Sequence, residues 1–239
     1  MQEDLKELSM IYIFSAFYAE AKNIIDHYGL KKEKSPETVR FDVFANDSIR
    51  LVITGVGEIN AAAAVSNIGG AYGISPDDEI LNVGCGAGFG NETCLGSIFL
   101  GNKLTEQMTG RTFYPDMLMK TNLMECEIVT VTRVLNEGRD SVVYDMEAAA
   151  VYQAAAFFVG PHRMHFIKLV SDAGERIDQS KITELFALQE EKIYGYIDML
   201  LSVGGNKASI DDTKSAWNID GLISDMRCSK VMGDQLAQL

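Results

Sequence analysis

Acidic residues stand at the ends of buried elements in three separate parts of the sequence. Glu147 begins an alanine-rich run that favours a helix and has mostly apolar neighbours, and Asp172 follows Ser171 directly after the apolar run 166–170. Glu20 lies one turn into the first predicted helix. A buried carboxylate needs hydrogen-bonding partners, and the hydroxyl groups of a bound sugar would supply them. The pattern therefore indicates a ligand site.

Each of these acids also has an ordinary structural explanation. Glu147 could stabilise a helix N-terminus through the helix dipole, Asp172 could cap a helix, and Glu20 alone would be a typical surface residue. All three, however, follow strand ends on the same side of the predicted sheet. Open α/β sheets bind their ligands at the carboxyl ends of their strands, so their common location favours a site.

A glycine-rich segment at 84–88, which contains Gly86 and Ala87, follows a predicted buried strand at 79–83. Glycine lets the backbone approach a flat ligand closely, and a loop at this place would lie at the same edge of the sheet. We therefore predict a ligand-binding loop here, with a tight turn as the alternative.

A second glycine motif opens a predicted helix after a strand. Gly55 and Gly57 resemble the beginning of a dinucleotide fingerprint, but Asn60 occupies the third glycine position and the motif does not follow the first strand. A nicotinamide or flavin site is therefore disfavoured, and the two glycines are explained by the turn itself. We expect no organic cofactor.

The bulk properties restrict the class of protein. The chain has 239 residues, 47% hydrophobic and 23% charged, which suits one α/β domain with a substantial core. A net charge of -13 argues against a nucleic-acid partner. We expect a cytoplasmic protein with reduced thiols and no membrane span, signal peptide or metal site. Residues 1–8 are too polar for a signal peptide, and the irregular spacing of His27, His162 and His165 does not suit a metal site.

Predicted strands and helices alternate along the chain, which favours a largely parallel sheet between helical layers. We divide the sequence into a domain at 1–203 and a helical extension at 204–239, which we expect to pack on the domain or on a partner subunit, with a separate binding role as the alternative. The predicted strands are 10–14, 39–45, 49–54, 79–83, 96–102, 126–134 and 165–170, with an ordered loop at 109–122; the predicted helices are 17–28, 59–72, one that begins near Met146, and 181–201 capped by Ser180.

The order of these motifs resembles the nucleoside phosphorylase superfamily, in particular the methylthioadenosine/S-adenosylhomocysteine nucleosidases. The resemblance implies a three-layer α/β fold with a mixed central sheet flanked by helices, followed here by a C-terminal helical tail. It also implies a homo-oligomer, most simply a dimer. The similar segments, within residues 10–201, are 13–20, 54–62, 82–88, 145–150 and 170–172.

The resemblance implies a role for each acid. Glu147 would hold the ribose hydroxyls while Met146 packs against the sugar, and Asp172, steadied by Ser171, would be the general acid at the purine N7. Glu20 would position and deprotonate the attacking water. These roles fit the chemistry, because departure of the base requires its protonation while another carboxylate stays ionised near the water. The implied substrate-binding residues also include Gly57, Gly86 and Ala87.

The sequence departs from the family pattern at two places. Residues 85–88 replace the usual serine-alanine-glycine-glycine loop, and the span from 88 to 146 is shorter than in typical nucleosidases, where it contains a helix and base-contacting residues. Arginine is absent from 51–109, where phosphorylases bring arginine to phosphate, so water is the expected acceptor. We expect cleavage of a purine nucleoside or 5′-thionucleoside, with phosphorolysis or non-catalytic nucleoside binding as alternatives.

Overall fold

A ten-stranded mixed sheet with helices on both faces forms the core of residues 9–175 and 177–205, the part of the chain that the computed structural model describes. The strands are β1 (Ile11–Ser15), β2 (Lys31–Lys32), β3 (Asp42–Ala45), β4 (Ile49–Ile53), β5 (Glu79–Gly88), β6 (Ile98–Glu106), β7 (Thr112–Phe113), β8 (Met124–Thr130), β9 (Val142–Asp145) and β10 (Met164–Asp172). The helices are α1 (Tyr18–His27), α2 (Glu58–Ile68), α3 (Ala148–Ala155), α4 (Gln179–Ala187) and α5 (Glu190–Gly205).

The sheet forms three layers with its helices, as predicted. Strand β1 is buried on both faces, so successive residues enter different cores. Ile11 and Ile13 pack in one cluster with residues of α1, α4 and α5. Tyr12 and Phe14 pack in the other cluster with residues of α2 and α3. The helices thus cover both faces of the central strands.

The pairing of the strands brings their carboxyl ends to one place. Strand β5 is parallel to both β1 and β10, so these three strands end at the same edge. Strand β10 continues through β6, β8 and β9, and β9 returns antiparallel to β5, which closes five strands into a ring. The end of β9 therefore lies beside the glycine-rich end of β5.

The predicted loop at 84–88 is strand instead, because β5 continues to Gly88. The glycines are required by close packing of neighbouring chain rather than by a turn. A Cβ at Gly86 would lie 2.4 Å from Val143 Cγ1 and 2.8 Å from the Tyr144 carbonyl oxygen. A side chain at Gly86 would therefore obstruct the approach of β9 to β5.

The predicted long helix at 181–201 is two helices, α4 and α5, and its cap is Asp178, which accepts a hydrogen bond from the Ser180 backbone N–H. The helix is interrupted at Leu188, which is 77% exposed. The side chain of the next residue, Gln189, donates a hydrogen bond to the Gly96 carbonyl at 3.0 Å. This bond attaches the break to the loop before β6.

The middle of the chain contains more strand than the sequence indicated. Strand β7 lies inside the predicted loop at 109–122, β9 was not predicted, and β8 ends at Thr130 instead of residue 134. From 88 to 146 the described chain contains no helix.

The predicted C-terminal extension lies almost entirely outside the described residues. Helix α5 runs to Gly205, and the described residues up to that point belong to one compact unit. The helical tail at 204–239 stays a prediction. Within the described part of the chain, no helix is long and apolar enough to cross a membrane.

Candidate active site

A cavity of about 740 Å³ opens where β1, β5, β9 and β10 end. This volume is in the range that small-molecule sites occupy. Three acids that the sequence singled out line it together, although they are far apart in the chain. The predicted site residues in its wall are Glu20, Gly86, Ala87, Met146, Glu147, Ser171 and Asp172.

Glu20 is held rigidly at the start of α1. Its Oε2 accepts a hydrogen bond from the Phe17 backbone N–H at 2.9 Å, and its Oε1 accepts one from the Cys85 backbone N–H at 2.7 Å. The residue is only 2% exposed, which excludes the surface role that a single glutamate would usually have. Each carboxylate oxygen has a second lone pair, so Glu20 can still accept a hydrogen bond from a water or ligand in the cavity.

Glu147 occupies the N-cap position of α3 at the end of β9. Its Oε1 accepts a hydrogen bond from the Gly57 backbone N–H at 2.9 Å. Gly57 has a φ of 98°, which favours glycine, and it does not line the cavity. Gly57 therefore orients Glu147, and its own contact with substrate stays a prediction.

Burial raises the pKa of Glu147 to about 7, and neighbouring Asp145 and Glu20 act in the same direction. The ammonium group of Lys168 and the hydrogen bond from Gly57 oppose this rise. The protonation of Glu147 is therefore sensitive to its surroundings near neutral pH, and a ligand that donates hydrogen bonds to the carboxylate would favour the ionised form.

Lys168 and Asp145 form a fully buried ion pair, with 2.8 Å between Lys168 Nζ and Asp145 Oδ2, in which Asp145 lines the cavity and Lys168 lies behind it. Burial alone would lower the lysine pKa, but Asp145, Glu147 and Glu20 together raise it. The lysine is therefore a cation among three carboxylates. Lys168 was not predicted as a site residue, although a single lysine in the apolar run 166–170 is a visible signal in the sequence.

Asp145 also organises the beginning of α3. Its Oδ1 accepts a hydrogen bond from Thr130 Oγ1 at 2.7 Å, and its Oδ2 accepts one from the Ala148 backbone N–H at 2.7 Å. These bonds satisfy an otherwise unpaired N–H at the helix N-terminus. Asp145 thus fixes both Lys168 and the segment that presents Met146 and Glu147 to the cavity.

Asp172 ends β10, at an irregularity in the pairing of β10 with β5 between Val170 and Asp172. Its Oδ2 accepts a hydrogen bond from Ser171 Oγ at 2.6 Å, and its Oδ1 accepts one from the Gly174 backbone N–H at 2.8 Å. The alternative role as a helix cap is wrong, because α4 begins at Gln179 and Asp178 caps it. These hydrogen bonds from neighbouring residues hold the Asp172 carboxylate in the cavity wall.

The rest of the cavity wall is largely apolar and suits a flat ring. Burial, together with the charge of Glu20, raises the pKa of the Cys85 thiol well above its ordinary value, so Cys85 is a neutral wall residue. Among the described residues, neither arginine nor lysine lines this cavity. The apolar members of the wall include Val56, Val131, Val134, Leu135, Tyr144 and Met146.

The arrangement combines a carboxylate held by backbone N–H groups, a second carboxylate beside a buried lysine, and a third that accepts a hydrogen bond from serine. Such a set can bind hydroxyl groups, orient a water and exchange a proton with a heterocyclic base. Among the described residues, no group of three histidine, cysteine or acidic side chains is arranged to hold a metal ion.

Solved structures that resemble this chain include nucleosidases. An Arabidopsis thaliana 5′-methylthioadenosine nucleosidase matches with a TM-score of 0.65 and 19% identity, over 82% of this chain and 98% of that chain. A methylthioadenosine/S-adenosylhomocysteine nucleosidase from Colwellia psychrerythraea, in complex with adenine, matches with a TM-score of 0.63 and 17% identity. The futalosine hydrolase of Helicobacter pylori matches with a TM-score of 0.61 and 12% identity. Each of these two matches covers 82% of this chain and 98% of the other chain.

Sequence comparison alone gives no such result, since no protein-family model and no curated protein matches the chain. The structural likeness spans almost the full length of each neighbour. The chain therefore has the fold of the methylthioadenosine/S-adenosylhomocysteine nucleosidases and of futalosine hydrolase, as its motifs predicted.

Proposed function

We propose that this protein hydrolyses the N-glycosidic bond of a purine nucleoside or 5′-thionucleoside and releases the free base. The observation that carries the proposal is the convergence of Glu20, Glu147 and Asp172 on one cavity of nucleoside size. Each acid has a different set of partners, so the three can take different roles in one reaction. The nucleosidase fold of the chain supports the same activity.

In this proposal the base leaves from an oxocarbenium-like sugar and takes up a proton at N7. Asp172 supplies that proton, while Ser171 and the Gly174 N–H fix its carboxyl group in place. Protonation matters most, because an unprotonated purine is a poor anionic leaving group. The Asp172 carboxylate that remains is stabilised by the same two hydrogen bonds.

Glu147 binds the ribose hydroxyls in its ionised form, and its negative charge stabilises the positive charge that develops on the sugar. Glu20 orients the attacking water and accepts its proton. The Cys85 and Phe17 N–H groups keep Glu20 in place before substrate binds, which reduces the cost of orientation. Lys168 pairs with Asp145, and its positive charge acts on both glutamates although it does not line the cavity itself.

Water is favoured over phosphate as the acceptor. A phosphate dianion would need positively charged or multiple N–H donors in the cavity, and the described wall has neither arginine nor lysine. Lys168, which lies close to this cavity among the described residues, already pairs with Asp145 in the interior. Phosphorolysis would therefore need a group from elsewhere in the chain or from a partner subunit.

Release of adenine from 5′-methylthioadenosine, measured with and without phosphate, tests the proposal. We expect release that does not depend on phosphate. Dependence on phosphate would instead identify a phosphorylase, and tight binding without release would identify a nucleoside-binding protein. Asp172→Asn is the matched catalytic variant, since it keeps the shape of the side chain and removes the acid.

A further inference from the structure

A second cavity, of about 620 Å³, adjoins the candidate active site. Ser171, Asp172, Glu175 and Ile177 line both cavities. The residues proposed to bind sugar and water, Glu20, Met146 and Glu147, line only the first cavity. The second cavity therefore lies beyond Asp172 as seen from the sugar end of the site.

The position of this cavity can be related to the atoms of a purine. N7 and the substituent on C6 lie on one edge of the ring, and the sugar is attached at N9, across the five-membered ring from N7. A base with N7 at Asp172 and its sugar at Glu147 directs its C6 substituent past Asp172. A substituent on C2 lies on the opposite edge of the six-membered ring. The second cavity is thus placed to receive a group on C6.

The wall of the second cavity is suited to a polar group. Thr93 lines it, is only 1% exposed, and has a buried hydroxyl with no hydrogen-bond partner among the described residues. Such an unpaired hydroxyl is costly, and a ligand that supplied a partner would recover that cost. Asn136, Asp178 and Lys181 add further polar side chains.

We propose that the second cavity is a subsite for a hydroxylated substituent on the 6-amino group, so that the enzyme accepts N6-substituted adenine nucleosides. This inference rests on the proposed function, because Asp172 must face N7. The Thr93 hydroxyl pairs with the substituent hydroxyl. The segment between β8 and β9 contributes Asn136 to the wall of this cavity.

Three substrates on the same sugar test the assignment: 5′-methylthioadenosine, its N6-hydroxyethyl derivative, and its isomer with a hydroxyethylamino group on C2. We expect the N6 derivative to be cleaved with a kcat/KM at or above that of the parent. The C2 isomer should be at least about 10-fold poorer, since its substituent would point away from the second cavity. A loss of more than about 10-fold with the N6 derivative would overturn the subsite.

Two variants in the wall separate this subsite from the catalytic site. Thr93→Val keeps the shape of the side chain and should lower kcat/KM about 2- to 10-fold for the N6 derivative, with little change for the parent. Leu95→Trp narrows the second cavity from a position that is 55% exposed and should act in the same selective way. Leu188→Trp, at an exposed position that lines neither cavity, is the control.

The outcomes distinguish a failure of the subsite from a failure of the proposed nucleosidase activity. If the parent is cleaved and both wall variants affect parent and N6 derivative equally, the subsite is refuted and the nucleosidase activity stands. If none of the substrates is cleaved, the proposed function itself fails, and the subsite fails with it. Selective loss with the N6 derivative supports both.

Discussion

Replacement of Glu147 by glutamine should remove one specific pH dependence from the stability of the fold. Burial raises the pKa of this carboxyl from an ordinary value of 4.5 to about 7. The folded state therefore binds a proton more tightly than the unfolded state does. The stabilisation from this proton is complete below about pH 4.5 and is lost as the pH rises through about 7.

The size of the effect follows from the two pKa values. Each pH unit between them lowers the free energy of unfolding by about 1.4 kcal/mol, so the total is about 3 kcal/mol. Glutamine has the same shape as a protonated glutamate and can still accept the hydrogen bond from Gly57, so Glu147→Gln should fold well. The variant should show no such decrease.

Urea unfolding of both proteins at several pH values between 4.5 and 8 measures this difference. Other groups titrate in both proteins, so the quantity of interest is the free energy of the wild type minus that of the variant. We expect this difference to fall by about 3 kcal/mol across the range. Parallel curves would refute the assignment. Affinity for a nucleoside should rise with pH in the wild type only, because the ionised carboxylate accepts the ribose hydroxyls.

Three further predictions concern the neighbouring residues. Lys168→Met leaves Asp145 buried without its cation and should lower the free energy of unfolding by about 3–5 kcal/mol in urea denaturation. The double variant with Asp145→Asn should lose less stability than the sum of the losses in the two single variants. Strict additivity of the two losses would contradict the pairing. Asp172→Asn should reduce turnover at least about 100-fold, and near-normal base release would exclude its role as the acid. Gly86→Ala places a Cβ 2.4 Å from Val143 and should cost about 1–3 kcal/mol by thermal unfolding, whereas Gly70→Ala, with open space around it, should be tolerated.

The sequence was informative where chemistry and periodicity agree. Glu20, Glu147 and Asp172 were predicted to meet because each follows a strand end, and all three line one cavity. The order of motifs was sufficient for the fold, which the solved nucleosidase structures confirm. The prediction of the fold depended on short segments of the chain, since the overall identity to those structures is below the level at which sequence comparison alone succeeds.

The errors arose where tertiary packing decides the local structure. The glycine-rich residues at the end of β5 have low strand propensity, but the approach of Val143 and Tyr144 requires them to be glycine. The break between α4 and α5 depends on the bond from Gln189 to Gly96, a partner distant in sequence. The sequence did not predict a role for Lys168, because a lysine in a strand is usually solvated and only the fold places carboxyl groups around it.

The closed ring of strands has a consequence for how the protein behaves at high concentration. Closure leaves the described sheet with its exposed edges at two-residue strands, β2 and β7, instead of at its long central strands. Strand β2 consists of Lys31 and Lys32, both exposed, and charged residues on a short edge discourage pairing with another chain. The architecture that assembles the site thereby also hides the strands most able to template aggregation.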